Sequence, residues 1–527
     1  MNQAATAAIK EGRTALGIEL GSTRIKAVLI GPEHQVLSAG FFNWENRLEN
    51  GLWTYSLEDA VAGVQKAFAH LRENVMAQYG AELTTLGALG ISGMMHGYLA
   101  LDKNDRQLAP FLTWRNTNTA QAAADLTALF GVNMPMRWSV THLYQAILDD
   151  AAHIPQVAYI TTLSGYIHYL LTGQKVLGMN DASGMFPVDA ERMDFDSKLL
   201  DKFDALIVDR KYPWKLRDIL PKAMVAGQNA GCLTAAGAKL LDPTGKLQPG
   251  APMVPPEGDA GTGMVATNSI GACSGNISAG TSIFAMLVLE KPLSKMYTDI
   301  DIVATPGGRP VAMVHCNNGT SELDAWMGLF REVLTATDAQ PEDLYGTLFA
   351  AADQADACCD DVLLYNFISG EPVVGLNDAR PLLVRRKDSK LSLANFMKAQ
   401  LYSIFASTAV GMEILYGENV RINRLTGHGG LFKTAAAARY LAAAMNCPVT
   451  VMKTAGEGGP YGMALLAAYL HESHRLSLED FLDQEVFYAA DADTLQPDAA
   501  GVADFAQYLL RYRNALPLEH TAANCIP

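Results

Sequence analysis

Two stretches of the 527-residue chain place small residues between apolar runs, a pattern that could bind phosphate. Residues 16–30 read LGIELGSTRIKAVLI, and residues 275–289 read GNISAGTSIFAMLVL. Both predict a strand, a glycine turn and a second strand, and the backbone N–H groups of such a turn can converge on an anion. Each turn alone could be a plain tight hairpin. Together they favour a phosphate chain bound from two sides, as in a two-domain nucleotide enzyme.

Two further glycine clusters precede predicted helices. Residues 426–433 read TGHGGLFK and lead into an alanine-rich helix over 434–445, whereas residues 456–462 read GEGGPYG and lead into a helix over 463–470. Glycine lets the backbone approach a flat base or a ribose closely, and a helix N-terminus offers unbonded N–H groups. Either cluster could instead be a turn that packs helices together. Both are candidate nucleotide contacts.

The tripeptide Met95 to Gly97 follows a predicted strand over residues 86–92. It would therefore lie at the carboxyl end of that strand, which is where ligands bind in α/β sheets. His96 could exchange hydrogen bonds with a ligand hydroxyl, or it could be a core histidine with satisfied nitrogens. Trp114 could lay its ring along an apolar ligand face, or it could simply be buried.

The elements around these residues follow α/β order. Apolar residues at alternating three and four spacings predict a helix over residues 58–79, a strand follows it, and the same order recurs after the second turn with a helix over 321–335. The helix face consists of Val61, Val64, Phe68, Leu71 and Val75. Near the C-terminus, Leu509 and Leu510 are predicted to pack a further helix against the core.

Composition excludes several classes of protein. The net charge of −15 argues against a nucleic-acid surface, and seven cysteines without a C-x-x-C pair indicate neither a zinc site nor a disulfide framework. No secretory signal and no apolar run near 18 residues is visible, so we predict a cytoplasmic protein without membrane contact. An acidic enzyme of this length is also compatible with a homodimer.

The order of these motifs resembles that of the FGGY carbohydrate kinases, of the actin and sugar-kinase superfamily, over about residues 15–475. The resemblance implies an α/β fold of two RNase H-like domains around a central cleft, with ATP and Mg²⁺ as cofactors and a small sugar as substrate. Three segments, residues 92–102, 111–121 and 180–189, are most similar to the sugar-site segments of xylulokinases.

The resemblance also implies roles for individual residues. Residues 255–263, PPEGDAGTG, are similar to the catalytic loop of the family, which makes Asp259 the general base; a turn-capping aspartate is the alternative. Glu19 and Asp259 are the implied metal ligands. The implied sugar contacts are Met95, His96, Gly97, Trp114, Arg115 and Asn116. The implied nucleotide contacts are Gly21, Ser22, Thr23, Lys26, Gly280, Thr281, Ser282, Gly427, Gly429, Gly430, Lys433, Glu457 and Gly458.

Three departures from the family pattern bear on the substrate. Glu19 stands where the family usually has aspartate, Arg115 and Asn116 stand where xylulokinases have asparagine and aspartate, and Met94 stands where glutamine is usual. Gaining a guanidinium while losing a carboxylate and an amide changes the hydrogen bonds available to read hydroxyl stereochemistry. Xylulose itself is therefore not assured.

The sequence thus predicts ATP-dependent phosphorylation of a ketopentose, L-ribulose or D-xylulose, at its terminal hydroxyl. Two alternatives stay open: a kinase for a hexulose or polyol, and a protein that binds ATP and sugar as a sensor without efficient transfer. The predicted domains are residues 14–269 with the sugar site and catalytic aspartate, residues 270–480 with the adenosine site, and a helical extension over residues 481–527.

Overall fold

The chain forms two compact units in this computed structural model, which describes residues 2–339, 343–452, 458–488 and 492–526. The first unit comprises Met1–Ile270, Asp301–Val311 and Glu457–Ala490, and the second comprises Gly271–Ile300, Ala312–Gly456 and Asp491–Pro527. The first division falls between Ile270 and Gly271. The C-terminal side is divided differently from the sequence-based boundaries, because residues 457–490 belong to the first unit and residues 491–527 belong to the second.

The first unit is built on a mixed sheet of five strands. Their order is Glu257–Gly258, Ala88–Gly93, Ala15–Leu20, Arg24–Ile30 and Val36–Asn43. The first three of these strands run parallel to one another, and the last three form an antiparallel meander. Every residue of Ala88–Gly93 is buried, as expected for a central strand covered on both faces.

Helices cover this sheet. Leu57–Tyr79 packs on the strands Arg24–Ile30 and Val36–Asn43, and it begins at the N-cap Ser56, whose side chain accepts from the backbone N–H of Asp59. Its buried face includes Val64, Phe68, Leu71 and Val75, as the spacing predicts, while Val61 is half-buried.

Gly459–Tyr469 packs on Ala15–Leu20 so closely that a Cβ on Gly17 would lie 2.1 Å from the carbonyl oxygen of Pro460. This contact is the physical reason why residues 457–490 join the first unit.

The remaining elements of the first unit surround that layer. Its other strands are Arg47–Glu49, Leu52–Thr54, Leu99–Leu101, Tyr159–Thr161, Val176–Gly178, Val188–Asp189, Asp194–Phe195, Lys222–Met224 and Asp301–Ala304. Its other α-helices are Asn2–Lys10, Ala120–Phe130, Ser139–Leu148, Leu163–Thr172, Met179–Ser183, Ser197–Leu206, Leu216–Ile219, Ala235–Leu241, Asp259–Ala266 and Leu478–Phe481.

The second unit repeats the hairpin-and-parallel-strand plan. Ser274–Ala279 pairs antiparallel with Ile283–Val288 and parallel with Arg424–His428, which in turn pairs parallel with Val449–Met452. Its other strands are Pro310–Cys316, Leu363–Tyr365, Leu382–Val384 and Ala492–Leu495. Its α-helices are Ser321–Ala336, Leu344–Ala352, Leu393–Gly417, Ala435–Met445, Ala499–Ala515 and Pro517–Cys525.

The core of the second unit surrounds the long helix Leu393–Gly417, most of whose residues are buried. The C-terminal helix Ala499–Ala515 packs into that core through Leu509, which confirms one half of the prediction. The prediction for Leu510 is wrong: its side chain is 61% exposed, because consecutive helical residues point about 100° apart. In the described part of the chain, no helix combines the length and apolar character needed to cross a membrane.

Candidate functional site

Three parallel strands of the first unit end at the same edge of the sheet, and a predicted site segment follows each of them. Ala15–Leu20 leads into the first glycine turn, Ala88–Gly93 leads into Met95 to Gly97, and Glu257–Gly258 leads directly into Asp259. Because parallel strands share one carboxyl edge, the sheet brings together segments that lie more than 160 positions apart. The edge is the candidate active site of this unit.

The first glycine turn connects its two strands as the sequence predicts. The N–H of Gly21 donates to the carbonyl of Arg24 at 3.0 Å and closes the turn. Within the described residues, the N–H groups of Ser22 and Thr23 have no acceptor, so the backbone donors that could meet an anion are these two.

Two aromatic side chains, Trp44 and Tyr55, hold this turn from outside; we call them the aromatic pair. The indole N–H of Trp44 donates to the carbonyl of Gly21 at 2.7 Å, and its backbone N–H donates to the carbonyl of Thr23 at 3.1 Å. The hydroxyl of Tyr55 donates to the carbonyl of Ser22 at 2.5 Å. The two rings stack with centroids 4.2 Å apart. Because all three of these carbonyl oxygens accept hydrogen bonds from the aromatic pair, the turn is held with its carbonyl oxygens toward those two residues.

Glu19 and Lys26 face each other across the same hairpin. Burial, and to a smaller extent the charge of Asp259, raise the pKa of Glu19 to about 8, and Lys26 opposes both effects. A Cβ on Gly459 would lie 1.6 Å from Oε2 of Glu19, so this carboxylate lies directly against the first residue of the helix Gly459–Tyr469. That helix terminus favours the ionised carboxylate.

Asp259 is the first residue of the helix Asp259–Ala266, where the sequence analysis expected a loop. Its Oδ1 accepts from the backbone N–H of Met95 at 3.2 Å. Burial raises the pKa of Asp259 to about 6, although the N–H groups of Met95 and Ala260 lower it. A half-buried carboxylate with this pKa is largely ionised near neutral pH and can still accept a proton.

The tripeptide Met95 to Gly97 turns sharply beside Asp259. His96 has φ +68° and Gly97 has φ +89°, a left-handed pair that reverses the chain directly after the strand. The Nδ1–H of His96 donates to the carbonyl of Gly184 at 3.0 Å, because that carbonyl can only accept. The imidazole stacks near the indole of Trp138, and it is 5% exposed.

The three residues Trp114 to Asn116 lie beside the short strand Leu52–Thr54. Asn116 accepts from the N–H of Trp53 at 2.9 Å and donates to the carbonyls of Trp53 and Thr113 at 2.8 and 3.0 Å. Both amide hydrogens of Asn116 are thereby used within the chain, so a sugar contact would depend on its amide oxygen alone. The exposed Arg115 lies over the ring of Trp53 at 4.1 Å, and Trp114 packs partly against the core.

Met94, which was expected to help recognise the hydroxyl stereochemistry of the sugar, is buried. Its side chain is 1% exposed and belongs to the hydrophobic core of the first unit. The physical reason is that Met94 directly follows the central strand Ala88–Gly93, every residue of which is buried, and its side chain packs into the same core. The expectation that Met94 takes part in sugar readout is therefore wrong.

The second glycine turn is held by backbone groups within the second unit. The N–H of Gly280 donates to the carbonyl of Ser282 at 3.1 Å. The carbonyls of Gly280 and Thr281 accept at 2.8 Å each from the N–H groups of Thr320 and Gly319, just before the helix Ser321–Ala336. This helix confirms the prediction made for residues 321–335.

The predicted adenosine motif lies beside that second turn. Gly427 pairs with Ile277 in the parallel ladder, and a Cβ on Gly429 would lie 2.5 Å from the carbonyl oxygen of Ala279. Gly430 begins the short 3₁₀ helix Gly430–Lys433, and Gly458 belongs to the first unit with φ +68°. Glu457 lies outside the described residues, as does the side chain of Lys433. Gly280 and Gly429 are thus the nucleotide candidates that the second unit brings together.

Several residues around Asp259 escaped the sequence analysis as individual site residues. Asn180 and Asp181 lie in the segment singled out as xylulokinase-like, and Glu257 lies two positions before Asp259. Burial raises the pKa of Asp181 to about 7 and raises that of Glu257 well above its ordinary value. Nothing local in the sequence pairs Trp44 and Tyr55 with the first turn, because their partners lie about 20 and 30 positions away.

Two family models match the chain along most of its length. The N-terminal domain of the FGGY family of carbohydrate kinases matches residues 14–262, and the C-terminal domain of the same family matches residues 275–471. Among curated proteins, the xylulose kinase of Escherichia coli strain K12 is 24% identical over 514 residues, which cover 95% of this chain and 99% of that protein. A xylulose kinase of Klebsiella pneumoniae is 24% identical over 425 residues, covering 79% and 81%.

Solved structures share the fold. A ligand-bound xylulose kinase from Lactobacillus acidophilus superposes with a TM-score of 0.79 at 18% identity, covering 96% of this chain and 98% of that one. A gluconate kinase from the same organism gives a TM-score of 0.79 at 17% identity, covering 95% and 98%. These likenesses confirm the predicted α/β fold with two sugar-kinase domains.

Proposed function

Because the chain belongs to the FGGY family of carbohydrate kinases, we propose that it transfers the γ-phosphoryl group of ATP to a ketopentose, L-ribulose or D-xylulose, at its terminal hydroxyl. That it is an enzyme phosphorylating a sugar follows from the family. The choice of a ketopentose is supported by the xylulose kinases among its relatives, which align over nearly the whole chain.

One observation carries the proposed mechanism: Asp259, the tripeptide Met95 to Gly97 and the first glycine turn follow three parallel strands at one sheet edge. Asp259 is held by the N–H of Met95, adjacent in sequence to the buried His96. A sugar hydroxyl beside Asp259 would lose its proton to this carboxylate as its oxygen attacks phosphorus. His96 would orient the sugar through hydrogen bonds.

The nucleotide contacts are proposed from the two glycine turns. In the first unit, the N–H groups of Ser22 and Thr23 would bind phosphate oxygens, with Lys26 supplying positive charge nearby. In the second unit, the turn at Gly280 to Ser282 and the backbone at Gly429 are the proposed nucleotide contacts. When bound, ATP supplies the phosphoryl group, and these backbone donors orient it.

Glu19 and Asp259 fit the Mg²⁺ that carbohydrate kinases generally use. The charge of Asp259 raises the pKa of Glu19, so the two carboxylates repel each other in poorly solvated surroundings, and a cation would relieve that repulsion. Within the described residues, no group of three or more metal-ligating side chains is found. Two carboxylates suffice for Mg²⁺, which typically takes one or two of them and completes its shell with water and phosphate. When bound, Mg²⁺ neutralises charge on the phosphate oxygens.

The proposal is tested by ADP release with Mg-ATP against a panel of D- and L-ketopentoses, ketohexoses, polyols and aldonates. A strong preference for one ketopentose supports the proposal and names the substrate. Preference for a hexulose or polyol would replace the ketopentose while keeping the mechanism. Tight binding of ATP and sugar in isothermal titration, with only background ADP release, would instead favour the sensor alternative and contradict the proposed transfer.

A further inference from the structure

The backbone on both sides of Asp259 is packed against the side chain of Asn180. A Cβ on Gly258 would lie 2.7 Å from Oδ1 of Asn180, as well as 2.2 Å from Cγ of Met95, and a Cβ on Gly261 would lie 2.5 Å from the amide carbon of Asn180. The N–H of Gly261 also donates to Oδ1 of Asn180 at 3.0 Å. The glycines of the GDAG sequence therefore make room for this carboxamide, which fixes the first turn of the helix that begins at Asp259.

The contact is reciprocal, because Glu257 holds the segment that carries Asn180. Oε2 of Glu257 accepts from the backbone N–H groups of Asn180 and Asp181 at 3.0 and 3.2 Å. Each segment thus uses a side chain to bind the backbone of the other, 76 to 81 positions away in sequence. The two segments form one rigid substructure around Asp259.

The far side of Asn180 is bonded to the strand Asp301–Ala304. Its amide nitrogen donates to the carbonyl of Ala304 at 2.7 Å, while the N–H of Ala304 donates to Oγ of Ser183 at 2.9 Å. The hydroxyl of Ser183 in turn donates to the carbonyl of Asn180 at 2.6 Å. Asn180 has no exposed surface. The carboxamide of Asn180 accepts on one side and donates on the other, whereas an ionised carboxylate cannot donate and an aliphatic chain can do neither.

We propose that Asn180 is a positioning residue for Asp259. It touches neither reacting atom; it fixes the backbone from Gly258 to Gly261, and so the direction in which the carboxylate of Asp259 points. This inference rests on the proposed function, in which Asp259 takes the hydroxyl proton. Displacement of a reacting group by about 1 Å can cost about 10²-fold in rate, so a residue that acts only through position can have a large effect.

The kinetic test is a double-mutant cycle with Asn180→Ala and Asp259→Asn. Asn180→Ala is expected to lower kcat about 10²-fold with sugar KM changed less than about threefold, because binding groups stay while the base moves. In the Asp259→Asn background the same change should cost less than about twofold, because no base is left to misplace. If the kcat losses of the two single substitutions multiply in the double variant, the inference is overturned.

Asn74→Ala is the matched control. Its amide donates to the carbonyl of Ala39 at 2.8 Å, beside the strand at the opposite edge of the same sheet. It removes the same kind of hydrogen bond, and kcat should stay within about twofold of wild type. Ser183→Ala, which removes the hydroxyl that bonds both Asn180 and Ala304, serves if Asn180→Ala does not fold; its kcat loss should be smaller and should also vanish without Asp259.

A measurement without substrates separates this inference from the proposed function. Amide hydrogen exchange is measured by NMR at the backbone N–H groups of Gly261 and Met95, which donate to Oδ1 of Asn180 and to Oδ1 of Asp259. In Asn180→Ala, exchange at both groups should be at least about tenfold faster than in wild type, because one hydrogen bond is deleted and the other is loosened; Asn74→Ala should change neither. Unchanged exchange at Met95 in Asn180→Ala would overturn the positioning role, because the carboxylate of Asp259 would then be held as before. Faster exchange at Met95 in a protein that phosphorylates no sugar would overturn the proposed function alone.

Discussion

The two glycine turns share one hairpin plan, yet their surroundings differ in charge and in how the turn is held. One step from the turn, the first hairpin pairs Glu19 with Lys26, whereas the second pairs Ser278 with Phe284. The first turn is bonded by the aromatic pair Trp44 and Tyr55, and the second by backbone N–H groups. The first hairpin therefore carries a charged pair beside its turn, whereas the second carries an uncharged pair at the same place.

The two glycine turns should also differ in their sensitivity to substitution. A turn held by side chains can be loosened by deleting one hydroxyl, whereas a turn held by backbone changes only when the backbone is forced to move. Substitutions at the first turn should therefore lower activity without lowering the free energy of unfolding. Substitutions at the second turn should lower activity and the free energy of unfolding together.

The largest expected effect is that of Asp259→Asn, which removes the base but keeps its size. We expect kcat to fall by about 10²- to 10⁴-fold, the usual contribution of a general base, while the dissociation constant for ATP stays nearly unchanged. Turnover is measured as sugar-dependent ADP release, and ATP binding by titration calorimetry. Retention of more than about a tenth of the wild-type kcat would show that Asp259 is not the base.

Gly319→Ala should disturb the second turn. The new Cβ would lie 2.2 Å from the carbonyl oxygen of Gly280, and backbone must shift to relieve that contact. We expect the free energy of unfolding to fall by about 1–3 kcal/mol and ATP binding to weaken with it. Thermal unfolding measures the first effect, and calorimetry the second.

Gly328→Ala is the matched control for that change. It lies within the helix Ser321–Ala336, and a Cβ there would meet no atom within 4 Å. Alanine is the better helix former by about 1 kcal/mol, so this variant should be slightly stabilised. Equal destabilisation of both variants would argue against the backbone contact at Gly280.

Tyr55→Phe is expected to have the smallest effect, and it tests the side-chain hold on the first turn. It deletes the hydroxyl that donates to the carbonyl of Ser22, a bond worth about 0.5–1.5 kcal/mol. The KM for ATP should rise several-fold with little change in kcat. Tyr79→Phe deletes a comparable bond to the carbonyl of Leu37 and should leave the KM for ATP unchanged. If the KM for ATP is similar in Tyr55→Phe and Tyr79→Phe, the aromatic pair does not contribute to nucleotide binding.

Much of the fold could be predicted from local patterns in the sequence. The two hairpins, the helix Leu57–Tyr79 and the helix Ser321–Ala336 all follow from apolar periodicity and glycine placement, which report on local structure. The C-terminal side could not be divided in this way, because the packing of Gly459–Tyr469 on Ala15–Leu20 joins segments over 400 positions apart.

The candidate site was predictable where one segment carried a recognisable motif. Asp259 and His96 were singled out in this way and their roles stay predictions; the parallel strands bring their segments to one edge. Asn180 and Glu257 were missed as individuals, because their importance depends on a reciprocal contact that no local pattern encodes. Met94 was misjudged because the motif places it beside the expected sugar contacts, whereas its side chain packs into the core of the first unit.

The pH dependence of kcat tests the central claim most directly, because it reports the proton that Asp259 must accept. Burial raises the pKa of Asp259 to about 6, and only the ionised carboxylate can act as a base. Turnover should therefore be full above that pH and fall as the pH drops through about 6, and this acid limb should be absent from any residual activity of Asp259→Asn. A wild-type kcat that stays constant down to about pH 4.5, or an acid limb that persists in Asp259→Asn, would contradict the account.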